Sequence, residues 1–213
     1  MNCDKKTMLL YAVTDRAWLG SQTLCEQVEC ALRGGATCVQ LREKELGYEA
    51  FLREAVELKS LCGSYDVPLI INDSVEIMLK SGADGVHISQ GDGDVREIRQ
   101  RIGPDKVLGV SAHSVEQAVR AERDGADYLG AGAVFATGTK LDAGNLSHDA
   151  LRAICAAVSI PVVAIGGISA ANVGKLSGSG IDGIAVVSAV FASENIEKAT
   201  KALKAITREA LGL

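Results

Sequence analysis

The 213-residue sequence lacks any long hydrophobic run, and its apolar segments all fall short of the ~20 residues that a membrane-spanning helix needs. It also lacks an excess of positive charge. With 22 Lys and Arg against 27 Asp and Glu, the formal net charge is -5, which argues against a general nucleic-acid surface. The first seven residues carry charges but lead into no signal-peptide core. We therefore expect a cytoplasmic protein with no membrane or nucleic-acid partner, in which any basic site is local.

Cysteine patterns typical of metal sites are also absent. The six cysteines include no C-x-x-C pair and show no metal-ligand spacing. Cys38 and Cys155 lie in apolar patterns that are typical of small core residues. We therefore expect no disulfide framework, and reduced thiols agree with the cytoplasmic prediction.

The sequence does contain an eightfold alternation of short apolar runs and amphipathic segments. The predicted strands are Leu9–Thr14, Thr37–Leu41, Leu69–Asn72, Gly85–Ile88, Val107–Val110, Tyr128–Ala131, Val162–Ile165 and Gly183–Val187. The segments between them predict helices near 23–33, 48–62, 74–80, 93–101, 114–123, 148–156, 170–176 and 194–210. Such alternation, with nearly continuous apolar strands, is typical of a parallel sheet covered by helices.

A short repeat supports this interpretation. Four similar segments each end a predicted helix and open the next strand: Gly34–Thr37, Gly82–Gly85, Gly125–Tyr128 and Gly180–Gly183. Glycine suits the left-handed position that often ends a helix. Eight βα units in this length predict one α/β domain, a (β/α)8 TIM barrel over residues 1–213. The alternative is an open doubly wound sheet, which usually has fewer strands and would interrupt the repeat.

Polar residues follow the predicted strands, at the end where the active sites of barrels form. Gln40, Arg42 and Lys44 alternate at the end of the second strand, so that they would share one face. An amide and two cations suit a multiply charged anion such as phosphate or diphosphate. The alternative is a solvated strand end with scattered charges.

Two carboxylates follow the third and fourth predicted strands, at Asp73 and Asp92. Mg²⁺ takes one or two protein carboxylates and completes its coordination with water and phosphate oxygens. The pair, beside basic groups, therefore suits a complex of Mg²⁺ with a diphosphate. Taken singly, each aspartate could instead be a helix N-cap.

The seventh and eighth predicted strands run into Gly166-Gly167 and Ser188. Loops at these positions usually bind phosphate in this fold, through backbone N–H groups and a helix N-terminus. The glycine pair could instead be a simple turn. Of the histidines, His87 lies inside an apolar strand and is expected to be structural, whereas His113 could transfer a proton or shape its loop.

Together these motifs resemble the thiamine phosphate synthase family over nearly the whole chain. The resemblance rests on Gln40–Lys44, Ile71–Asp73, His87–Asp92, Gly109–His113, Thr137–Lys140 and Ile165–Ile168, in this order and spacing. The family joins hydroxymethylpyrimidine diphosphate to hydroxyethylthiazole phosphate and releases pyrophosphate. The resemblance implies a transferase in which Mg²⁺ and cationic side chains stabilise the departing diphosphate, while the thiazole nitrogen attacks a pyrimidine carbocation.

The resemblance also implies roles for individual residues. Pyrimidine diphosphate would be bound by Gln40, Leu41, Arg42, Glu43, Lys44, Asn72, Ser111 and Lys140. Thiazole phosphate would be bound by Thr137, Gly138, Thr139, Gly167, Val187 and Ser188. The Mg²⁺ ligands would be Asp73 and Asp92, and the catalytic groups Arg42, Lys44, Ser111 and Lys140. The sequence departs from the family pattern at Ser74, Ser89, Gly91 and Ala136, which bears on loop order and substrate affinity more than on reaction class.

Two other functions would use a similar barrel. A relative of the family isomerises the thiazole ring with a histidine like His113, and has no need of carboxylates such as Asp73 and Asp92. A regulatory protein could sense the same phosphate ligands without turnover. The presence of both aspartates favours the synthase. The sequence is compatible with a homo-oligomer but does not specify one.

Overall fold

The computed structural model describes residues 4–136 and 146–213. Its eight strands are β1 (Leu10–Val13), β2 (Cys38–Leu41), β3 (Leu69–Asn72), β4 (Gly85–Ile88), β5 (Val107–Ala112), β6 (Tyr128–Gly132), β7 (Val162–Ile165) and β8 (Gly183–Val186). They form a closed barrel in sequence order, in which each strand is parallel to its neighbours and β8 pairs with β1. The predicted (β/α)8 barrel is confirmed, and the open sheet is wrong because the barrel closes.

Helices surround the strands. They are α1 (Leu24–Arg33), α2 (Tyr48–Gly63), α3 (Val75–Ser81), α4 (Val95–Ile102), α5 (Val115–Arg123), α6 (His148–Ala157), α7 (Ser188–Phe191) and α8 (Ile196–Leu211), with 3₁₀ helices at Arg16–Trp18 and Val173–Leu176. The predicted helix over 170–176 is only the second 3₁₀ turn, because Gly174 interrupts a segment that is already short. The short α7 was not predicted. Within the described part of the chain, no helix is both long and apolar enough to cross a membrane.

Alternation along the strands divides the buried side chains into two layers. Residues that face outward, such as Leu41 and Ile71, pack under the helices in the larger apolar cluster. Residues that face inward, such as Tyr11 and Tyr128, form a second cluster inside the barrel. The inner layer is where a strand can present polar side chains to a ligand.

The sequence repeat forms the amino-terminal rim of the barrel. The residue just before β2, β4, β6 and β8 accepts a backbone N–H from near the start of the preceding strand, at 2.7 to 3.0 Å. These acceptors are Thr37, Asp84, Asp127 and Asp182. Each also donates its own N–H back to the carbonyl of the same partner. The repeat therefore joins the strands in pairs at the rim that stabilises a barrel, opposite the rim where chemistry occurs.

Candidate active site

A cavity lies inside the barrel at the carboxyl ends of the strands. Polar side chains from β2 to β5 and their loops line one side: Gln40, Arg42, Asn72, His87, Ser89, Ser111 and His113. Mostly glycines and apolar residues line the other side, from β6 to β8 and the segments that follow β7 and β8: Gly130, Gly132, Val163, Ile165, Gly166, Gly167, Ala185, Val187 and Ser188. The predicted residues Gln40, Arg42, Asn72, Ser111, Gly167, Val187 and Ser188 therefore meet in one cavity. Its two sides differ in chemistry, which suits two different ligands.

Arg42 is held in place at the cavity from two directions. Its backbone N–H donates to Thr14 Oγ1 at 3.0 Å, and its Nη1 donates to Asp15 Oδ2 at 3.0 Å. A guanidinium has five N–H donors, so most of them remain for a ligand. The arrangement presents a fixed cation with the planar geometry that matches phosphate oxygens.

The rest of the Gln40–Lys44 segment does not enter the cavity. Leu41 is fully buried in the outer layer. Glu43 forms an ion pair with Arg16 and accepts two backbone N–H groups from the following loop. Burial acts to raise the pKa of Glu43, but these backbone N–H groups and Arg16 lower it overall. Lys44 is exposed in a bend, because β2 ends at Leu41 and the strand alternation stops there.

Asp73 and Asp92 are not helix caps. The N-cap of α3 is Ser74, whose side chain accepts the N–H of Ile77. The N-cap of α4 is Asp94. The N-cap alternative is therefore wrong for both aspartates, which are exposed beyond the ends of the adjacent strands β3 and β4.

Backbone conformation and hydrogen bonds hold the two aspartates in defined positions. Asp73 has a φ of 62°, and its N–H donates to the carbonyl of His87 at 2.8 Å. A positive φ is uncommon outside glycine and is often found at functional sites. Oδ2 of Asp92 accepts the N–H of Ser89 at 2.6 Å, which holds its carboxylate in the loop after β4.

The donor set of Asp73 and Asp92 fits Mg²⁺, which prefers carboxylate oxygens. Over residues 4–136 and 146–213, no group of three or more His, Cys, Asp and Glu side chains is arranged to hold a metal ion by itself. An ion at this rim would therefore need further oxygen ligands from water or a phosphate-bearing substrate, as Mg²⁺ commonly does.

Gly166 and Gly167 have φ values of 102° and 62°. A Cβ on Gly166 would lie 2.4 Å from Cβ of Ala133, and one on Gly167 would lie 2.3 Å from the carbonyl oxygen of Ala136. These positions therefore require glycine both for conformation and for close approach of the loop after β6. Ser188 opens the short helix α7 directly after β8. Loops after strands seven and eight together with a short extra helix are the usual phosphate site of this fold.

Sequence reasoning missed Tyr11 and Tyr128 and assigned His87 only a structural role. The two tyrosine hydroxyls lie 2.9 Å apart, and Tyr128 Oη lies 2.9 Å from Nδ1 of His87. Burial, more than the nearby Tyr128, raises the pKa of Tyr11 well above its usual range. The strand pairing contains a signal that could have found them: His87 and Tyr128 flank Gly109 in register, and glycine leaves room between strands for large side chains.

His113 donates from Nδ1 to the carbonyl of Gly132 at 2.7 Å, since a carbonyl oxygen can only accept. This contact leaves Nε2 facing away from Gly132, so both sequence interpretations of His113 remain open. The predicted residues Thr137, Gly138, Thr139 and Lys140 lie outside the described residues.

Known proteins are similar to this one over almost its entire length. A family model described as thiamine monophosphate synthase matches residues 10–190. The thiamine-phosphate synthase of Clostridium botulinum (strain Eklund 17B / Type B) is 49% identical over 195 residues, covering 92% of each chain. That of Ruminiclostridium cellulolyticum is 50% identical over 194 residues, covering 91% of this chain and 92% of the relative.

A solved structure is also similar to this protein in its fold. Thiamine phosphate pyrophosphorylase from Pyrococcus furiosus aligns with a TM-score of 0.90 and 39% identity, over 98% of this chain and 99% of the other. The range matched by the family model includes all eight strands and every residue that lines the cavity. This chain therefore belongs to the thiamine monophosphate synthase family.

Proposed function

We propose that this protein is a thiamine-phosphate synthase, which joins hydroxymethylpyrimidine diphosphate to hydroxyethylthiazole phosphate and releases thiamine monophosphate and pyrophosphate. The observation that carries the proposal is a single cavity in which Gln40, Arg42 and Ser111 face Gly166 and Gly167. One side offers cationic and polar donors, and the other offers a backbone that a phosphate can approach closely. Membership of the family supports the reaction class.

In this proposal the pyrimidine diphosphate lies against the polar side of the cavity. Gln40, Asn72 and Ser111 offer directed hydrogen bonds, and Arg42 offers fixed charge. Lys44, exposed after β2, and Lys140, outside the described residues, are further cations for the diphosphate in this proposal. Leu41 and Glu43 contribute by holding the chain around Arg42, since their side chains are engaged elsewhere.

The thiazole phosphate lies against the glycine side. Gly167 and Val187 line the cavity there, and Ser188 adds a hydroxyl at the start of α7. Thr137, Gly138 and Thr139 lie outside the described residues and complete this site in the proposal. Gly130, Gly132 and Ala185 leave room for the thiazole ring beside the pyrimidine.

Asp73 and Asp92 would hold Mg²⁺, which when bound neutralises charge on the diphosphate so that it becomes a better leaving group. Arg42, Lys44 and Lys140 stabilise the negative charge that develops on the departing oxygens. The bond from the pyrimidine methylene carbon to oxygen breaks, and its electron pair leaves with the diphosphate. The lone pair of the thiazole nitrogen then forms the new carbon–nitrogen bond. The protein's task is positioning and charge stabilisation, and it needs no protein nucleophile.

The test is an assay of the purified protein with both substrates and Mg²⁺, in which pyrophosphate and thiamine monophosphate are both quantified. The proposal predicts that they form in equal amounts and that neither accumulates when one substrate is left out. Isomerised thiazole phosphate without pyrophosphate would identify a tautomerase instead. Binding of both ligands without any turnover would identify a regulatory protein.

A further inference from the structure

A continuous chain of hydrogen bonds crosses the inside of the barrel along the wall of the cavity, which all five of its residues line. It runs from Gln40 through Tyr11, Tyr128 and His87 to Ser111, with successive distances of 2.9, 2.9, 2.9 and 3.0 Å. We call it the Gln40–Ser111 chain. Each residue comes from a different strand, in the order β2, β1, β6, β4 and β5. Tyr11 is 2% exposed and Tyr128 is 0% exposed, so their hydroxyls must be satisfied by protein neighbours.

The packing around the chain keeps its rings in place. Tyr11 and Tyr128 meet edge to face with 5.9 Å between ring centroids, and His87 lies 5.5 Å from Tyr128 by the same measure. A Cβ on Gly109 would come within 2.2 Å of the Tyr128 ring, and one on Gly130 would lie 3.0 Å from Cε1 of His87. The rings therefore fill the space that these two glycines leave.

With the Gln40 amide oriented as in the structure, the hydrogen bonds can all point in one consistent direction. Nε2 of Gln40 can only donate, so Tyr11 Oη accepts there and directs its single proton to Tyr128 Oη. Tyr128 in turn donates its own proton to Nδ1 of His87. A neutral imidazole that accepts at Nδ1 carries its proton on Nε2.

At the far end, Nε2 of His87 then donates to Oγ of Ser111. The serine oxygen is engaged as an acceptor, which leaves its own proton for a ligand in the cavity that Ser111 lines. A serine hydroxyl without such a neighbour can rotate and either donate or accept. We propose that Tyr128 and His87 are positioning residues that present Ser111 to the substrate as a hydrogen-bond donor.

The direction of the chain is inferred from the orientation of the Gln40 amide and from the hydrogen-bond distances, and it does not depend on the proposed function. Only the identity of the acceptor, an atom of the pyrimidine diphosphate, rests on the proposed function. The two parts can be tested separately, because the tautomer of His87 can be measured without turnover.

The first test is ¹⁵N NMR of the histidine rings, of which the protein has three. The His87 signals are assigned by their loss in His87→Gln. In the native protein we expect a protonated Nε2 and an unprotonated Nδ1.

Tyr128→Phe keeps the ring but removes the donor to Nδ1, so the preference for this tautomer should be lost. Tyr11→Phe cuts the link to Gln40 but leaves Tyr128 able to donate, so it should weaken the preference less than Tyr128→Phe does. Tyr65→Phe is the matched control and should preserve the tautomer, since the Tyr65 hydroxyl donates to Glu29 outside these hydrogen bonds. A protonated Nδ1 in the native protein would reverse the chain and overturn the proposal.

The second test is a double-mutant cycle on kcat/KM for the pyrimidine diphosphate. Tyr128→Phe should lower kcat/KM about tenfold, the scale of one lost hydrogen bond. In a Ser111→Ala background the same change should have almost no further effect, because it acts through Ser111. An equal loss in both backgrounds would mean that Tyr128 acts structurally, and the proposal would be wrong.

Circular dichroism establishes that each variant is folded, and His87→Gln provides the same cycle if Tyr128→Phe does not fold. An enzyme that shows the expected tautomer but no synthase turnover would overturn the proposed function alone. The wrong tautomer in an active enzyme would overturn this inference alone.

Discussion

Arg42 and Asp15 form an ion pair at the cavity, with 3.0 Å between Nη1 and Oδ2. Their side chains are only 12% and 18% exposed, so solvent screens the pair less than a surface pair. Asp15 is also the N-cap of the 3₁₀ helix Arg16–Trp18. The pair therefore ties the loop after β1 to the loop after β2 and orients the guanidinium towards a ligand.

Replacing Arg42 by lysine tests this orientation. Arg42→Lys should lower kcat/KM for the pyrimidine diphosphate tenfold or more. This is about the loss expected when a bidentate phosphate contact is removed. An ammonium group keeps the charge but cannot contact Asp15 and present two parallel donors to a phosphate. Arg96→Lys, on the exposed face of α4, is the control and should leave the kinetics unchanged. Native kinetics in Arg42→Lys would show that charge alone is sufficient.

The metal prediction is best tested with asparagine. Asp73 has a φ of 62°, which asparagine tolerates better than alanine, so Asp73→Asn removes charge without adding strain. Asp73→Asn and Asp92→Asn should each lower Mg²⁺-dependent turnover roughly a hundredfold, the scale of a lost transition-state interaction. Asp94→Asn is the matched control, because asparagine can still cap α4. Near-normal Mg²⁺-dependent turnover in either variant would rule out that ligand.

Lys140 is predicted from the sequence to stabilise the leaving diphosphate. Lys140→Ala should lower kcat more than it raises KM, by roughly a hundredfold, because the contact strengthens as charge develops on the departing oxygens. Lys201→Ala, an exposed lysine on α8, is the control for the loss of one positive charge. A change confined to KM would make Lys140 a uniform binding contact.

Gly167 is expected to serve the thiazole phosphate. Gly167→Ala should weaken thiazole phosphate binding tenfold or more, since an added Cβ would displace the chain at Ala136, 2.3 Å away. Pyrimidine diphosphate binding should change little, since that ligand is proposed to lie over β2 to β5. Gly178→Ala is the control: Gly178 has a φ of 72° but open space around its Cβ position, so it isolates the effect of conformation. Calorimetric titration of each ligand measures the affinities, and equal losses of both would contradict two separate sites.

Substitutions at the amino-terminal rim should change stability but not catalytic activity. Asp84→Ala removes the acceptor of the Leu69 N–H and the partner of Lys59. The unsatisfied N–H should lower the free energy of unfolding by ~1–3 kcal/mol, with kcat/KM unchanged because the site is at the other rim. Glu76→Ala, which breaks an exposed pair with Lys80, should have a much smaller effect. Urea denaturation measures both variants, and equal destabilisation would contradict a special role for the rim.

Strand positions could be predicted from the sequence because the information is local. Each observed strand begins and ends within two residues of its prediction. Short apolar runs alternate with amphipathic segments, and each run is followed by polar residues such as Gln40 or Asn72. Once parallel strands close into a barrel, those residues must gather at one rim. The sequence alone therefore determined the fold, the rim that carries the candidate site and seven of the residues that line the cavity.

Only the tertiary structure decided which side chains meet. Tyr11 and Tyr128 are 117 positions apart and His87 and Tyr128 are 41 apart, and no local pattern reports such pairings. Their contacts depend on barrel closure and on the space that Gly109 and Gly130 leave on neighbouring strands. The orientation of Glu43 away from the cavity also depends on a residue distant in sequence, because Glu43 pairs with Arg16 in a different loop. Long-range packing, rather than local propensity, selects among the side chains that the rim brings close.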